Sequence, residues 1–582
     1  MIMKKIFKKG TIWMLVAGMM ISYSCKDSFL DIPVTGQLDQ GLLSTRLGLE
    51  SALISAYSIV NGRGGRMASP SNWVWGSIRG AEANKGTDPG DFNDINPIMI
   101  YEPQSTQGVI SEKYNGNYEG VARCNAVLLL VSKAAADVTD AQKTSLTAQA
   151  KFLRAHFYFE LKRAFNDVPY VDETVDYGTG IEKVKNDTDL WPKIEADMQY
   201  AYDNLPETQA QVGRVNKWAA ASYLAKIFMY QKKFAAAKAL YDVIIPSGKT
   251  SNGKKYALVP KFPDVFKASN DNNEESVWAY QAAANTGSVN NANPEFDLNW
   301  PYNTGADGPG NCCSFFQPTF FLANAFRTNL GLPLLDESYT SPANELKTDM
   351  GLETKDAFTP DTKEVDPRLD HSIGRRGIPY LDWVVFPGKD WIRNQPNAGP
   401  YQTKKFVYYK SDKGSLQDNS SWTPGYTALN FPIIRFADVL LMAAEAEIEV
   451  GSLTTAQGYI NQVRNRAANP ASFVQKTGGG NAANYVISPY VTPFASQAEA
   501  RTAVRFERKL ELSGEGHRFY DLVRWGTAKA EIDKYLAYEA PKLPLNPLGG
   551  AKYDVGKDEF LPIPQSQIDV VGSSILKQNP GF

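Results

Sequence analysis

The strongest periodic segment is AQKTSLTAQAKFLRAHFYFELKRAF, residues 141–165, where Leu153, Phe157, Leu161 and Ala164 recur at helical spacing and share one face. Thr139 and Gln142 have the spacing of a capping box, which places the helix start close to residue 140. Asn166-Asp167-Val168-Pro169 ends it, because proline disfavours helical geometry in the residue before it. The pattern predicts a second helix over 188–204. A third starts near Asn216 in NKWAAASYLAKIFMYQKKF, and a fourth, FAAAKALYDVII, follows almost at once. The same alternation of apolar stripe and short break returns in RFADVLLMAAEAEIE and TTAQGYINQVRNRA, the latter opening on a capping-box spacing from Thr454 to Gln457. A last helical stretch is predicted over 496–536, beginning with Ser496 and Glu499 at that spacing again.

Small residues (Ala219, Ala220, Ala221, Ala225, Ala235 and Ala236) sit where neighbouring helices must approach closely, so these pairs resemble tetratricopeptide hairpins. No strict period of roughly 34 residues is visible, which makes the repeats irregular. Residues 247–430 differ. They are rich in Gly, Pro, Asn and Asp, carry short apolar runs, and offer a helix only near 318–328. Long loops between helical pairs usually carry function, since a rigid scaffold can hold binding residues on them. The expected organisation is therefore an N-terminal scaffold over 25–246, a loop-rich ligand-binding region over 247–430, and the rest of the scaffold over 431–582.

The first residues, MIMKKIFKKG TIWMLVAGMM ISYSCKDSF, read as an export signal. Lys4, Lys5, Lys8 and Lys9 precede an apolar run from Ile12 to Ile21 that is too short to span a bilayer, which needs roughly 20 apolar residues. No later segment comes closer to spanning one. The run ends at Cys25, where a lipoprotein signal would be cut and the thiol acylated, so 1–24 is the expected signal and Cys25 the lipidation site. Ser22 stands where a strict lipobox prefers leucine.

Composition narrows the functional classes. The chain has 582 residues, 43% hydrophobic and 21% charged, with a formal net charge of −2, which gives no footprint for nucleic acid. Besides Cys25 the cysteines are Cys124, Cys312 and Cys313, too few for a disulfide framework. His156, His371 and His517 stand in no zinc-binding arrangement. Gly248-Lys249-Thr250 has Val243 where a phosphate-binding loop needs glycine. No cofactor is expected. A calcium loop is the one candidate, at Asp88, Asp91 and Asp94 in TDPGDFND, which lacks the full EF-hand spacing and reads more simply as a solvated acidic loop.

The most enzyme-like stretch is ERKLELSGEGHRFYD, with Glu507, Glu511, Glu515, His517 and Asp521. Arg505, Arg508, Arg518 and Arg524 are interleaved with these acids, so the stretch reads as a structural ion-pair network rather than an acid–base pair. Arg154, Glu160, Arg435, Asp438 and Glu445 are read the same way. Three loops combine flat aromatic faces with planar polar groups, the mixture that a binding surface needs. One offers Trp300, Tyr302 and Asn303. The second offers Tyr380, Asp382, Trp383, Trp391, Arg393 and Asn394. The third offers Trp73, Trp75, Arg79, Lys85, Asp88 and Asp91. The binding candidates are Trp300, Tyr302, Trp383, Trp391, Asn394, Trp75 and Arg79. Cys312 and Cys313 join them, either as a vicinal disulfide plate or as two free thiols.

Several segments occur in an order that resembles the SusD/RagB family of outer-membrane lipoproteins: AQAKFLRAHFYFELKRAFNDVPYV (148–171), FPIIRFADVLLMAAEAEIE (431–449), YINQVRNRA (459–467), VRFERKLELSGEGHRFYDLVRWG (504–526), FLPIPQSQID (560–569) and QNPGF (578–582). The resemblance implies a mainly α, SusD-like fold, with irregular tetratricopeptide-like helix pairs and an inserted loop-rich region that binds ligand. It further implies a lipid anchor at the cell surface and a SusC-like TonB-dependent transporter as partner, importing oligosaccharides or, in some members, peptides. A surface glycan-binding protein without catalysis is the expected function, a peptide binder or a surface glycoside hydrolase the alternatives.

Overall fold

The computed structural model describes residues 40–62, 66–293, 298–310, 312–420, 423 and 425–582; the signal-like segment and Cys25 lie outside them. The architecture is mainly α. Its principal helices are α1 (Arg46–Ser58), α2 (Gly108–Ser132), α3 (Asp140–Phe165), α4 (Trp191–Asn204), α5 (Lys217–Tyr230), α6 (Phe234–Ser247), α7 (Phe320–Ala325), α8 (Phe436–Val450), α9 (Leu453–Ala467), α10 (Gln497–Glu511), α11 (Arg518–Trp525), α12 (Ala528–Glu539) and α13 (Gln565–Val571). No described helix is long and apolar enough to cross a membrane.

Helices α2 to α6 pack each against the next, and α6 hands the stack on to α8, α9 and α10. The start of α3 is fixed by a reciprocal cap: Gln142 N–H donates to Thr139 Oγ1 at 3.3 Å, and Thr139 N–H donates to Gln142 Oε1 at 2.9 Å. From Phe152 to Phe165 nearly every α3 side chain is buried, because neighbours cover the helix on several sides. Asn216 caps α5 through Ala219 N–H at 2.9 Å. Its Ala219–Ala221 run is closed inside the core, as close helix approach requires.

Two expected helix boundaries are corrected. Ser452 rather than Thr454 caps α9, accepting from Thr455 N–H at 3.3 Å, while Gln457 turns away to the carbonyls of Tyr490 and Thr492. The stretch 496–536 is three helices rather than one. Gly514 (φ +73°) and Gly516 (φ +75°) break it between α10 and α11, and Gly526 (φ +71°) breaks it again before α12. At Gly516 the need for glycine is also steric, since a Cβ there would collide with the Ser71 carbonyl.

Between α6 and α8 the chain runs mostly as loops tied by two-stranded antiparallel pairs. Strand β1 (Ala83–Gly86) pairs with β3 (Phe315–Pro318) in the register Ala83↔Pro318 and Gly86↔Phe315. Strand β2 (Ser276–Tyr280) pairs with β4 (Phe431–Arg435), joining the two ends of the loop-rich region beside α8. A small second core of Tyr380, Phe386, Trp391, Ile392 and Val407 holds the outer loops apart from the main core.

The acidic C-terminal stretch lies inside the scaffold. Glu511 accepts from Arg435 at 2.6 Å, Arg368 at 2.9 Å and Arg466; Glu507 accepts from Arg368 at 2.6 Å and Arg464 at 2.8 Å. Glu515 takes Arg435 at 2.7 Å and Lys405 at 2.9 Å. Burial alone would raise the Glu511 carboxyl, but Arg466, Arg435 and Arg368 outweigh it and hold the group ionised. His517, beside this network, is pushed down to about 3 by burial and stays neutral. Each of these acids is committed to buried cations, so the stretch is a structural ion-pair network inside the scaffold. Arg154, Glu160, Arg435, Asp438 and Glu445 are likewise buried in ion pairs.

Candidate functional site

The three aromatic loops converge. The β1–β3 pairing brings residues 83–86 against 315–318, and Thr87 N–H donates to the Ser314 carbonyl at 2.6 Å just beyond the last strand pair. The loop after Trp391 closes on the same place. Arg393 Nε lies 2.6 Å from Asp88 Oδ2, and its Nη1 lies 2.5 Å from Asp91 Oδ2 and 2.9 Å from Thr87 Oγ1. Asn394 donates to Asp88 Oδ1 at 3.2 Å and caps the short turn 395–398 through Asn397 N–H. The Tyr302 ring stands beside this clamp, 5.4 Å from the Arg393 guanidinium carbon, and its backbone N–H is tied to the Trp391 carbonyl at 2.8 Å.

Below the clamp, Lys85 Nζ donates to the carbonyls of Asp88 at 3.1 Å, Pro89 at 3.1 Å and Asp91 at 2.8 Å. Burial pulls its ammonium down to about 8, against the opposing pull of Asp91 and Asp88. The loop that offered itself to calcium thus has its own cations: Arg393 neutralises Asp88 and Asp91, Lys85 takes three carbonyls, and the Asp94 carbonyl accepts from Gln107 at 2.7 Å.

Several strained backbone positions lie in these loops. Thr87 (φ 51°), Phe92 (φ 45°), Asn303 (φ 47°), Ser314 (φ 66°), Phe316 (φ 53°) and Leu381 (φ 52°) all take the left-handed conformation without being glycine. Such residues persist only where the surroundings over-determine them, and they cluster at ligand clamps.

The structure sorts the sequence candidates into those that present a surface and those that do not. Tyr302, Trp383, Asn394 and Cys312 are half-buried, with Arg393 and Asp88 beside them and Asn303 exposed. Trp383 stands edge-on to Tyr408 at 5.6 Å and donates Nε1–H to the Tyr408 carbonyl at 3.2 Å, which fixes its ring at the surface. Cys312 and Cys313 are joined as a disulfide, with Cys313 buried beneath Cys312.

Five candidates are corrected: Cys313, buried beneath Cys312, and four larger side chains. Trp300 is 1% exposed, wedged edge-on against Tyr408 at 5.3 Å and against Gly310, whose missing side chain leaves room for the indole. Trp391 fills the second core, edge-on to Tyr380 and Phe386 at 5.6 Å each. Trp75 lies in a buried π-helical turn, Trp73–Ile78, and donates to the Met67 carbonyl at 2.8 Å. Arg79 stacks 3.9 Å over the Phe519 ring and donates to the Asp558 carbonyl. A closed ring offers no face to a sugar; these four support the site or the scaffold beneath it.

Asp382 is exposed but committed, accepting from the backbone N–H groups of Lys410 at 2.5 Å and Ser411 at 2.9 Å. The central group that sequence reasoning undervalued is Arg393. Its signal was an arginine two residues after a tryptophan and directly before an asparagine in a loop, facing two aspartates about 300 residues earlier that no local pattern connects to it.

Comparison with known proteins agrees with this architecture. The profile described as "SusD family" matches residues 274–582, and one described as "Starch-binding associating with outer membrane" matches residues 82–229. The chain is 24% identical over 538 residues to the SusD-like protein P2 of Formosa agariphila, covering 90% of this chain and 91% of that one. It is 24% identical over 349 residues to the starch-binding protein SusD of Bacteroides thetaiotaomicron, covering 57% and 59%. Among solved structures, a laminarin-binding SusD-like protein superposes with a TM-score of 0.65 at 22% identity, over 92% of this chain and 100% of that one. The surface glycan-binding protein A of Bacteroides thetaiotaomicron, in complex with laminarihexaose, gives a TM-score of 0.60 at 20% identity, over 92% and 99%.

Proposed function

The chain belongs to the SusD family, and from that premise we propose that it captures oligosaccharides at the cell surface and delivers them, uncleaved, to a SusC-like TonB-dependent transporter. The observation that carries this reading is the half-buried Tyr302 ring, locked by its main chain to the Trp391 loop and flanked by Arg393 and Asn394. A sugar ring can lay its C–H face on such a phenyl plate while planar guanidinium and amide groups meet its hydroxyls. The clamp balances two cations, Arg393 and Lys85, against Asp88 and Asp91, which suits an uncharged ligand better than an ionic one.

Cys25 supplies the location in this reading. A thioether-linked lipid at its thiol, with residues 1–24 removed, would hold the protein at the outer membrane. There a modest affinity becomes effective, because ligand released beside the transporter is recaptured at high local concentration.

Native electrophoresis of the purified protein through gels containing single polysaccharides tests the reading. Retardation by at least one neutral glycan, with no new reducing ends after prolonged incubation, is the expected result. Release of reducing ends would make the protein a hydrolase. Indifference to every glycan together with retention of peptides would make it a peptide binder.

A further inference from the structure

Away from the clamp, an open groove of about 730 Å³ runs between α1, the loop 210–214 that precedes α5, and the segment 278–291 that begins in β2. Its volume falls within the range of small-molecule sites. None of the sequence candidates lines it. Ile54 on α1 and Val212 on the opposite loop face it while 54% and 48% exposed, so its two rims are apolar and open to water. Tyr57 and Tyr280 contribute ring surface, and Asn61 and Gln281 contribute amides.

The polar lining is neutral in effect. Arg214, the charged member, is held by Glu50 at 2.8 Å and by Gln211 at 2.6 Å. Asn61 carries the second observation. It is 4% exposed and its Nδ2 donates to the Tyr280 hydroxyl at 3.1 Å, yet its Oδ1 finds no donor among the described residues. A buried carbonyl without a donor is uncommon in folded proteins, and a ligand hydroxyl is the kind of group that would satisfy it.

We infer that this groove is a second binding site, for a neutral sugar residue of an oligosaccharide, distinct from the clamp around Tyr302 and Arg393. Aromatic surface, planar amides, apolar rims and a neutralised cation together favour an uncharged polyhydroxylated ligand over a charged one. The ligand class rests on the glycan-binding reading above, while the site itself rests on the groove. Two sites on one chain would let a long glycan be held at one point while the other presents an end, raising retention without tightening either contact.

Isothermal titration of the purified protein with maltohexaose, laminarihexaose and xylohexaose tests the inference, alongside Ile54→Arg, Val212→Arg and Tyr302→Ala. The two arginine substitutions alter exposed rim residues and should leave the thermal midpoint unchanged. The expected result is that each weakens binding of the recognised hexaose at least tenfold, or reduces the stoichiometry from two to one, with Tyr302→Ala reducing the remaining site independently. Unchanged binding in both rim variants, with loss in Tyr302→Ala, overturns the second site and leaves the proposed function standing. Binding of the uncharged peptide (Gly-Ser)3 that the rim variants abolish, with hexaose binding untouched, also overturns it by assigning the groove to peptides. Failure of the wild-type protein to bind any of the three hexaoses contradicts both.

Discussion

Two arginine–carboxylate clusters in this molecule use the same chemistry to opposite ends. In the scaffold, the side chains of Arg368, Glu507 and Glu511 are 0% exposed, and each acid is shared by two or three arginines drawn from distant segments. In the loops, Arg393, Asp88 and Asp91 are 26%, 41% and 34% exposed, and one arginine spans two acids. A fully buried network commits its acids to several arginines at once, so it fixes how helices and loops meet. A half-exposed clamp is screened by water and contributes little to stability, but its polar atoms remain within reach of a ligand. Accessibility, rather than residue type, separates structure from site.

The comparison is broken most severely by Glu511→Ala. Removing that acid leaves Arg435, Arg466 and Arg368 buried with lost partners, and a broken buried pair costs on the order of 3–5 kcal/mol. Denaturant unfolding should show a large drop in midpoint, or no folded protein at all. Arg393→Ala is the matching test at the clamp: the stability change should stay within about 1 kcal/mol, as for exposed pairs, while retardation by glycan is strongly reduced.

A smaller effect sharpens the contrast in protonation. Burial lowers His156 to about 3, His371 to about 4 and His517 to about 3. In the unfolded chain these rings titrate near about 6.5. Their contribution to stability is therefore complete above that pH and is lost as pH falls toward the folded values. Glu82 and Glu539, both raised to about 7 by burial, act with the opposite sign and lose stability as pH rises from roughly 4.5 to 7. The two sets oppose each other in that window, so the rings themselves give the cleaner readout. Nuclear magnetic resonance of the folded protein at pH 5 should find all three imidazoles neutral; a protonated ring would contradict the packing around it.

The scaffold was legible in the sequence because its signals are local. Apolar spacing in 141–165, the Thr139–Gln142 cap and the alanine-rich approach of α5 each lie within a few turns of one another. Even the break between α10 and α11 was written in Gly514 and Gly516, although helical periodicity on both sides masked it. The loops were legible only as a place. Trp300 and Trp383 look alike in sequence, each in a polar, turn-rich segment. Both meet Tyr408, one closed beneath it and the other held at the surface, and that difference depends on residues about 100 and 25 positions away. The Arg393 clamp and the Asn61 groove join segments still further apart, beyond the reach of any periodicity.

The most direct test of the account places the double variant Tyr302→Ala/Trp383→Ala in a native gel containing the glycan that retards the wild-type protein. Both rings are half-buried, and Trp383 packs on the rim of the second core rather than within it. The account predicts that retardation is lost while the thermal unfolding midpoint stays close to that of the wild type. Retardation equal to the wild type in a folded double variant would contradict it, and would move the glycan-binding surface away from the convergent loops.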